Sequence, residues 1–254
     1  KIPKQVPKKI KHNNMRYLIM DLSKNKIFKK DPYSQSISIG QFGKIFNYLK
    51  QKKCKQILFA GKINKPKFST LKLDFKGIYY LPKILKAAKL GDAAILKAII
   101  DILAMEKIKV ISSIKYNPEL TLSKGLFTKT KPNKNDMISI KNGIKSLKRV
   151  NPNNHVQGLI VQNSNVIAHE TIKGTKIMLK SIKKFKDSQA ILIKFPKKKQ
   201  DLRIDLPTIG FDTLKDCKRA GIKGIVLKSK QHIFMDKTKS LSFANKHKIF
   251  IIVK

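Results

Sequence analysis

Apolar residues recur along this chain at two spacings, and the alternation between them predicts an α/β protein. Helical spacing is plainest in Gly40–Gln51, where Phe42, Ile45, Phe46 and Leu49 share one face. Short unbroken apolar runs mark strands covered on both sides, as in Ala190–Phe195. From the start of the chain the pattern predicts a short basic helix at Ile2–His12 and a strand at Arg16–Leu22. The helix at Gly40–Gln51 comes next, then a strand at Gln56–Ala60 that stops at Gly61. A helix at Leu81–Lys89 precedes a second at Ala93–Lys107, with Asp92 as its expected N-cap, and Lys109–Ser113 returns as a strand. This succession predicts a mostly parallel sheet.

The polar, proline-containing stretch Thr128–Asn135 reads as a linker, dividing residues 1–130 from residues 131–254. Beyond it, Asp136 is expected to cap a helix running through Arg149. Gln157–Gln162 and Val166–His169 read as strands joined by the turn residues Asn163, Ser164 and Asn165. A helix is expected at Thr175–Phe185, the strand at Ala190–Phe195, a helix at Thr213–Ala220 and a strand at Gly224–Leu227. A last helix near Leu241–Lys246 feeds a terminal strand at Ile249–Val253.

Charge changes the picture. The chain of 254 residues holds 57 Lys and Arg against 15 Asp and Glu, a formal excess of 42 positive charges. Such an excess attracts polyanions, acidic lipid surfaces or phosphorylated substrates. Nucleic acid is not the expected partner. The basic residues are nearly all lysines spread along the chain, tryptophan is absent and aromatics are 7% of residues. Base readers rely on arginine forks and stacking platforms. Cys54 and Cys217 lie far apart with no metal-type spacing and read as free thiols in a reducing compartment. No apolar run approaches the ~20 residues of a membrane-spanning helix, and no signal peptide is visible. A soluble protein is therefore expected.

Four of the scarce acids fall within Asp201–Asp216, and two of them flank Arg203 in the segment Gln200–Gly210. This segment follows the apolar run Ala190–Phe195, and loops leaving the carboxyl ends of strands in open α/β sheets are where ligands bind. Asp201 and Asp205 are candidates to hold Mg²⁺, which usually takes one or two carboxylates together with substrate phosphates. Arg203 would offset phosphate charge with its planar fork. The alternative is that both acids pair with nearby lysines. Asp212 reads as an N-cap and Asp216 as the partner of Arg219 three residues on. Gly61 at a strand end, Gly91-Asp92, and Gly174-Thr175 at a helix start could each admit a phosphate or could each be an ordinary turn or cap. The histidines lack metal-ligand spacing, and no GxSxG, HExxH, P-loop or CxxC motif is present.

The segments Ile39–Ile45, Phe59–Pro66, Gly91-Asp92, Leu120–Leu122, Gly174-Thr175, Gln200–Gly210 and Arg219–Gly221 follow one another in an order that resembles the LpxI family of UDP-2,3-diacylglucosamine pyrophosphatases. The resemblance covers nearly the whole chain and is strongest in Arg203–Gly210. It implies two α/β domains, a Rossmann-like one over residues 1–130 with a mostly parallel sheet and a mixed α/β one over 131–254, with the lipid substrate between them. It also implies Mg²⁺-dependent hydrolysis of the substrate's pyrophosphate to UMP and 2,3-diacylglucosamine 1-phosphate. Asp205 matches the family's essential aspartate. Asp201 is expected to share the metal. Gly61, Asn64, Gly91, Asp92, Thr121, Gly174, Thr175, Lys194, Gln200, Arg203 and Thr208 are expected to bind substrate.

A cytoplasmic enzyme peripheral on the inner membrane of a Gram-negative bacterium is implied, with dimerisation left open. Two departures accompany the resemblance. Family members carry a strand and glycine-rich turn ahead of the Ile2-Pro3 position, so this chain is expected to lack part of the nucleotide site. Lys173 and Lys176 stand where the family tends to carry acids. The competing reading is a non-catalytic nucleotide- or polyanion-binding protein. A dinucleotide oxidoreductase has little support without a GxGxxG motif.

Overall fold

The computed structural model describes residues 2–23, 25–61, 67–154, 156–182, 190–198 and 200–254. The chain divides into two compact units, the first ending at Asn117 and the second running from Pro118 to Lys254.

The first unit holds α1 (Ile2–His12), β1 (Ile19–Asp21), β2 (Ser34–Ser36), α2 (Phe42–Gln51), β3 (Gln56–Leu58), α3 (Phe75–Lys89), α4 (Asp92–Met105) and β4 (Lys109–Ile111). Its strands do pair in parallel, but as two separate two-stranded sheets, β1 with β2 and β3 with β4. The single Rossmann-like sheet expected for this half is not found among the described residues. Each strand is three residues long, and β1, β2 and β3 are only partly covered, so they lack the two-sided burial of a central parallel strand.

Asp74 organises the helices here. Its carboxylate accepts from Gly77 at the start of α3 (2.8 Å) and from Gly43 and Lys44 at the start of α2 (3.1 and 2.9 Å). Burial alone would raise this carboxyl, but the backbone donors outweigh it and hold it below the usual range. Gly77 is needed at the crossing, because a Cβ there would lie 2.1 Å from the Gly40 carbonyl oxygen. The rings of Phe42, Phe46 and Tyr80 fill the space behind. Helix α3 starts six residues before the expected Leu81 and carries Pro82 inside it, since the Asp74 cap and this aromatic packing override the proline. The N-cap of α4 is Gly91 at φ 104°, and Asp92 is its first helical residue rather than the expected cap.

The second unit contains β5 (Gly125–Leu126), α5 (Lys134–Asn154), β6 (Gly158–Gln162), β7 (Asn165–His169), α6 (Thr175–Ser181), β8 (Ala190–Lys194), β9 (Thr208–Ile209), α7 (Phe211–Arg219), β10 (Ile222–Leu227), β11 (Ile233–Phe234), α8 (Lys237–Lys246) and β12 (Phe250–Val253). One mixed sheet has the order β5-β12-β10-β8-β6-β7. Strands β8, β10 and β12 run parallel, while β6 runs antiparallel to β8 and β5 to β12. Residues alternate between its faces. Ala190, Leu192, Ile225 and Ile251 join Met178, Leu214 and Ala244 from α6, α7 and α8. Ile191, Ile193, Val226 and Phe250 join Ile140 and Leu147 from α5 on the other side. This period of two builds a helix-sheet-helix sandwich.

The β6–β7 hairpin turns as expected at Asn163 and Ser164, both at positive φ (47° and 66°). Thr128–Asn135 does not mark the boundary between the compact units. Gly125-Leu126 already pairs with β12, and the Thr128 hydroxyl accepts from the Ile251 N–H at 2.9 Å. Helix α5 is capped by Asn133, whose side chain accepts from Asp136 N–H (2.8 Å) while Asp136 reaches back to Asn133 N–H (3.0 Å). Asp136 is thus the returning half of a capping box, and it also binds Lys223 at 2.7 Å. Among the described residues no helix is long and apolar enough to cross a membrane.

Candidate functional site

Strand β8 is buried along its whole length and ends in Lys194, which is 5% exposed. A lysine at the dry end of an apolar strand needs a counter-charge. Glu170, one residue beyond β7 and 9% exposed, supplies it. The Lys194 ammonium donates to both carboxylate oxygens (3.0 and 3.2 Å) and to the Thr175 hydroxyl (2.5 Å), which itself donates to Glu170 at 3.0 Å. Gly158 on β6 faces Lys194 across the sheet, and a Cβ there would sit 2.7 Å from a Glu170 oxygen. Gly174 caps α6 at φ 83°, with open space where a side chain would stand.

The loop after β8 is fixed to the same sheet end. The Gln200 carbonyl oxygen accepts from the Gln157 side chain (3.0 Å) and from Lys197 N–H (2.9 Å). Its side-chain amide nitrogen is buried and has no hydrogen-bond partner among the described residues. A turn follows in which Asp205 N–H donates to Asp201 O at 2.9 Å. Leu206 and Pro207 are buried, and Thr208-Ile209, which pairs with β11, leads into α7.

The two acids of this loop have different surroundings. Arg203 forks onto Asp201, with Nη2 at 2.6 Å from one oxygen and Nε at 2.9 Å from the other. These hydrogen bonds hold the Asp201 carboxyl below its ordinary range. The Asp205 carboxylate is half-buried and carries no hydrogen bond or ion pair among the described residues. Further along, Asp216 pairs with Arg219 (3.1 Å) as the spacing predicts. Asp212 pairs with Lys215 (2.6 Å) and does not cap α7, whose N-cap is Gly210. No three His, Cys, Asp or Glu side chains cluster as a metal site among the described residues.

Residues 1–120 match the family model of the LpxI N-terminal domain, and residues 123–252 match that of the LpxI C-terminal domain. The chain belongs to the LpxI family. A Caulobacter vibrioides protein named UDP-2,3-diacylglucosamine pyrophosphatase LpxI is 30% identical to it over 224 residues, which cover 85% of this chain and 80% of that relative.

Within this LpxI chain the second unit brings together Gly174, Thr175, Lys194 and Gln200 at one end of its sheet, with Asp201, Arg203, Asp205 and Thr208 on the loop that leaves it. The Thr121 hydroxyl is spent inside its own turn, donating to the Pro118 carbonyl at 2.9 Å, and the residue is buried. The Thr208 hydroxyl donates to Leu206 O at 3.3 Å on an exposed edge. Gly61 (φ 106°), Gly91 and Asp92 belong to the first unit. Asn64 lies outside the described residues. Lys173 and Lys176 are exposed beside Gly174.

Glu170 and Gln157 escaped the sequence reading. Glu170 left one usable signal: it is one of only 15 acids, set directly after a strand, in a chain where another strand ends in a lysine. Gln157 left none.

Proposed function

We propose that this chain hydrolyses the pyrophosphate of UDP-2,3-diacylglucosamine, releasing UMP and 2,3-diacylglucosamine 1-phosphate. The reading rests on family membership and on one structural observation: Asp205, in the loop after a buried strand, is the acid there whose carboxylate has no partner among the described residues. In an excess of 42 positive charges, an acid without a cation partner is free for a ligand or for water.

Water supplies the new P–O bond and the bridging P–O bond breaks. The departing phosphate oxygen keeps the electron pair. Asp205 orients the attacking water and takes its proton as the new bond forms, releasing it to bulk water afterwards. The buried Gln200 amide N–H₂, without a partner among the described residues, supplies a donor for a phosphate or sugar oxygen. The Lys194–Glu170–Thr175 cluster keeps the end of β8, and so the start of the loop, in place.

The donor set suits Mg²⁺ in one way only. Both Asp201 oxygens are engaged by Arg203, so Asp205 is the one carboxylate of the loop open to the ion, with substrate phosphates filling other positions. When bound there, Mg²⁺ would offset charge developing on the diphosphate. The lysine-rich composition suits a protein that meets an anionic lipid surface.

Asp205→Asn tests the proposal. UMP release from the lipid nucleotide is expected to fall by roughly 10³-fold or more, with the fold retained by circular dichroism. EDTA is expected to remove the same activity. Wild-type activity that survives both changes would refute the roles of Asp205 and the metal. Absence of UMP release, joined to steeply salt-dependent polyanion binding, would favour a non-catalytic binding protein.

A further inference from the structure

Helix α3 carries apolar side chains on two faces. Tyr80, Ile84 and Ala87 are buried within the first unit. Phe75, Ile78 and Tyr79 lie on the outer side, 94%, 60% and 72% exposed, with exposed Pro82 following on the same side. Phe75 and Tyr79 are four residues apart and so stand one above the other. A stretch of helix that is apolar all round is normally covered all round, and an exposed apolar patch marks an interaction surface.

The charge beside the patch decides between occupants. Lys83, Lys86 and Lys89 are exposed along the rest of the helix, within ~9 Å of one another along its axis. From Phe75 to Leu90 there is no aspartate or glutamate. Two acids that touch α3 are already engaged: Asp74 by three backbone N–H groups, and Glu106 by Lys76 and the Tyr80 hydroxyl. Exposed Met105 at the end of α4 extends the apolar area, its sulfur 3.9 Å from the Lys83 ammonium. A second copy of this chain is a poor occupant, because a twofold contact would bring two rows of lysines and no free acid into one interface. A bilayer with anionic headgroups suits both parts. Aromatic and aliphatic side chains settle at headgroup depth, and lysines beside them gain from the negative surface potential. We propose that the outer face of α3 docks this protein on an anionic phospholipid bilayer, with Phe75, Ile78 and Tyr79 entering the headgroup layer and Lys83, Lys86 and Lys89 against its phosphates. The inference rests on the part of the proposed function that concerns an anionic lipid surface, and not on Asp205 or on hydrolysis.

The protein has no tryptophan, so Tyr79→Trp in the full chain places a single indole on this face. Vesicles of phosphatidylglycerol and phosphatidylcholine with brominated acyl chains are expected to quench it. Vesicles of brominated phosphatidylcholine alone should quench roughly tenfold less at equal lipid. In sedimentation with the anionic vesicles, Phe75→Ser with Ile78→Ser is expected to lower partitioning roughly tenfold or more. Lys83→Gln, Lys86→Gln and Lys89→Gln together should lower it roughly thirtyfold or more. The same three-charge change at exposed positions on α5, Lys141→Gln, Lys145→Gln and Lys148→Gln, should lower it by less than about threefold. All of these side chains are exposed, so the circular dichroism of each variant should match wild type.

Four results would overturn the inference: no binding of wild type to the anionic vesicles, binding without quenching of the indole, equal losses in the two lysine variants, or a wild-type dimer that Phe75→Ser with Ile78→Ser converts to a monomer. UMP release is scored separately. Substrate dispersed in detergent should be cleaved equally by wild type and by the Phe75→Ser, Ile78→Ser variant, while substrate held in vesicles should be cleaved roughly tenfold more slowly by the variant. Vesicle binding without any UMP release would preserve the docking face and sink the hydrolase. UMP release without vesicle binding would do the reverse.

Discussion

Removing the Glu170 carboxylate should be among the most costly single changes in the second unit. Glu170→Leu leaves the Lys194 ammonium 5% exposed at the end of β8, with the Thr175 hydroxyl as its remaining acceptor. Two charge-assisted hydrogen bonds, at 3.0 and 3.2 Å, are lost. Breaking a buried pair from one side costs about 3–5 kcal/mol, most of it from the stranded charge. Replacing both partners, Glu170→Leu with Lys194→Met, removes that charge and should recover most of the loss. Urea unfolding followed by circular dichroism reads the three variants against wild type. The expected order is wild type close to the double variant, with Glu170→Leu far below. If Glu170→Leu costs less than about 1 kcal/mol, the pair is solvated like a surface salt bridge and cannot hold the loop. If the double variant is as unstable as the single, the cost comes from packing and not from charge.

The remaining expectations concern other parts of the chain. His232 is buried, accepts from Leu122 N–H at 3.3 Å and has its other ring nitrogen 2.8 Å from Lys228 O; burial lowers its proton affinity. The unfolded chain then binds the extra proton first, so stability from this group is complete above its ordinary value of about 6.5 and falls as pH drops below it; His232→Gln should flatten this slope in pH-dependent melts. Cys217 is fully buried and desolvation pushes its thiol far up, whereas Cys54 is half-buried, so a disulfide reagent should titrate one thiol in the native protein and two in urea. Gly77→Ala forces a Cβ against the Gly40 carbonyl and should cost about 1–3 kcal/mol, whereas Ala at Gly143 should mainly perturb the second unit.

Much of the second unit could be read from the sequence because its strands are long enough to show a period. Ala190–Lys194 is unbroken apolar until its last residue, and the Asn163-Ser164 turn carries its own backbone chemistry. The first unit was harder to read. Strands of three residues show no period, and Asp74, which caps α3, also reaches back 31 residues to the Gly43 N–H at the start of α2. For the candidate site the sequence named a loop but not the contacts within it. The density of acids in Asp201–Asp216 singled out the loop that leaves β8 as the candidate. Yet Asp201 and Arg203 were expected to face a ligand, and in the structure they pair with each other at 2.6 Å. Spacing of two residues in an irregular turn does not reveal such a contact. Glu170 and Lys194 lie 24 residues apart and meet only because β6 separates β7 from β8 in the sheet.

The two-residue strand β5 matters beyond its length. It occupies the outer flank of β12 near Ile252 and Val253, whose main-chain groups would otherwise stand bare at the rim of a long apolar sheet. An exposed edge of that kind invites strands from other molecules. A fragment cut at the polar stretch after Thr128 would therefore be sticky in solution, and one beginning at Pro118 would keep its selvage intact.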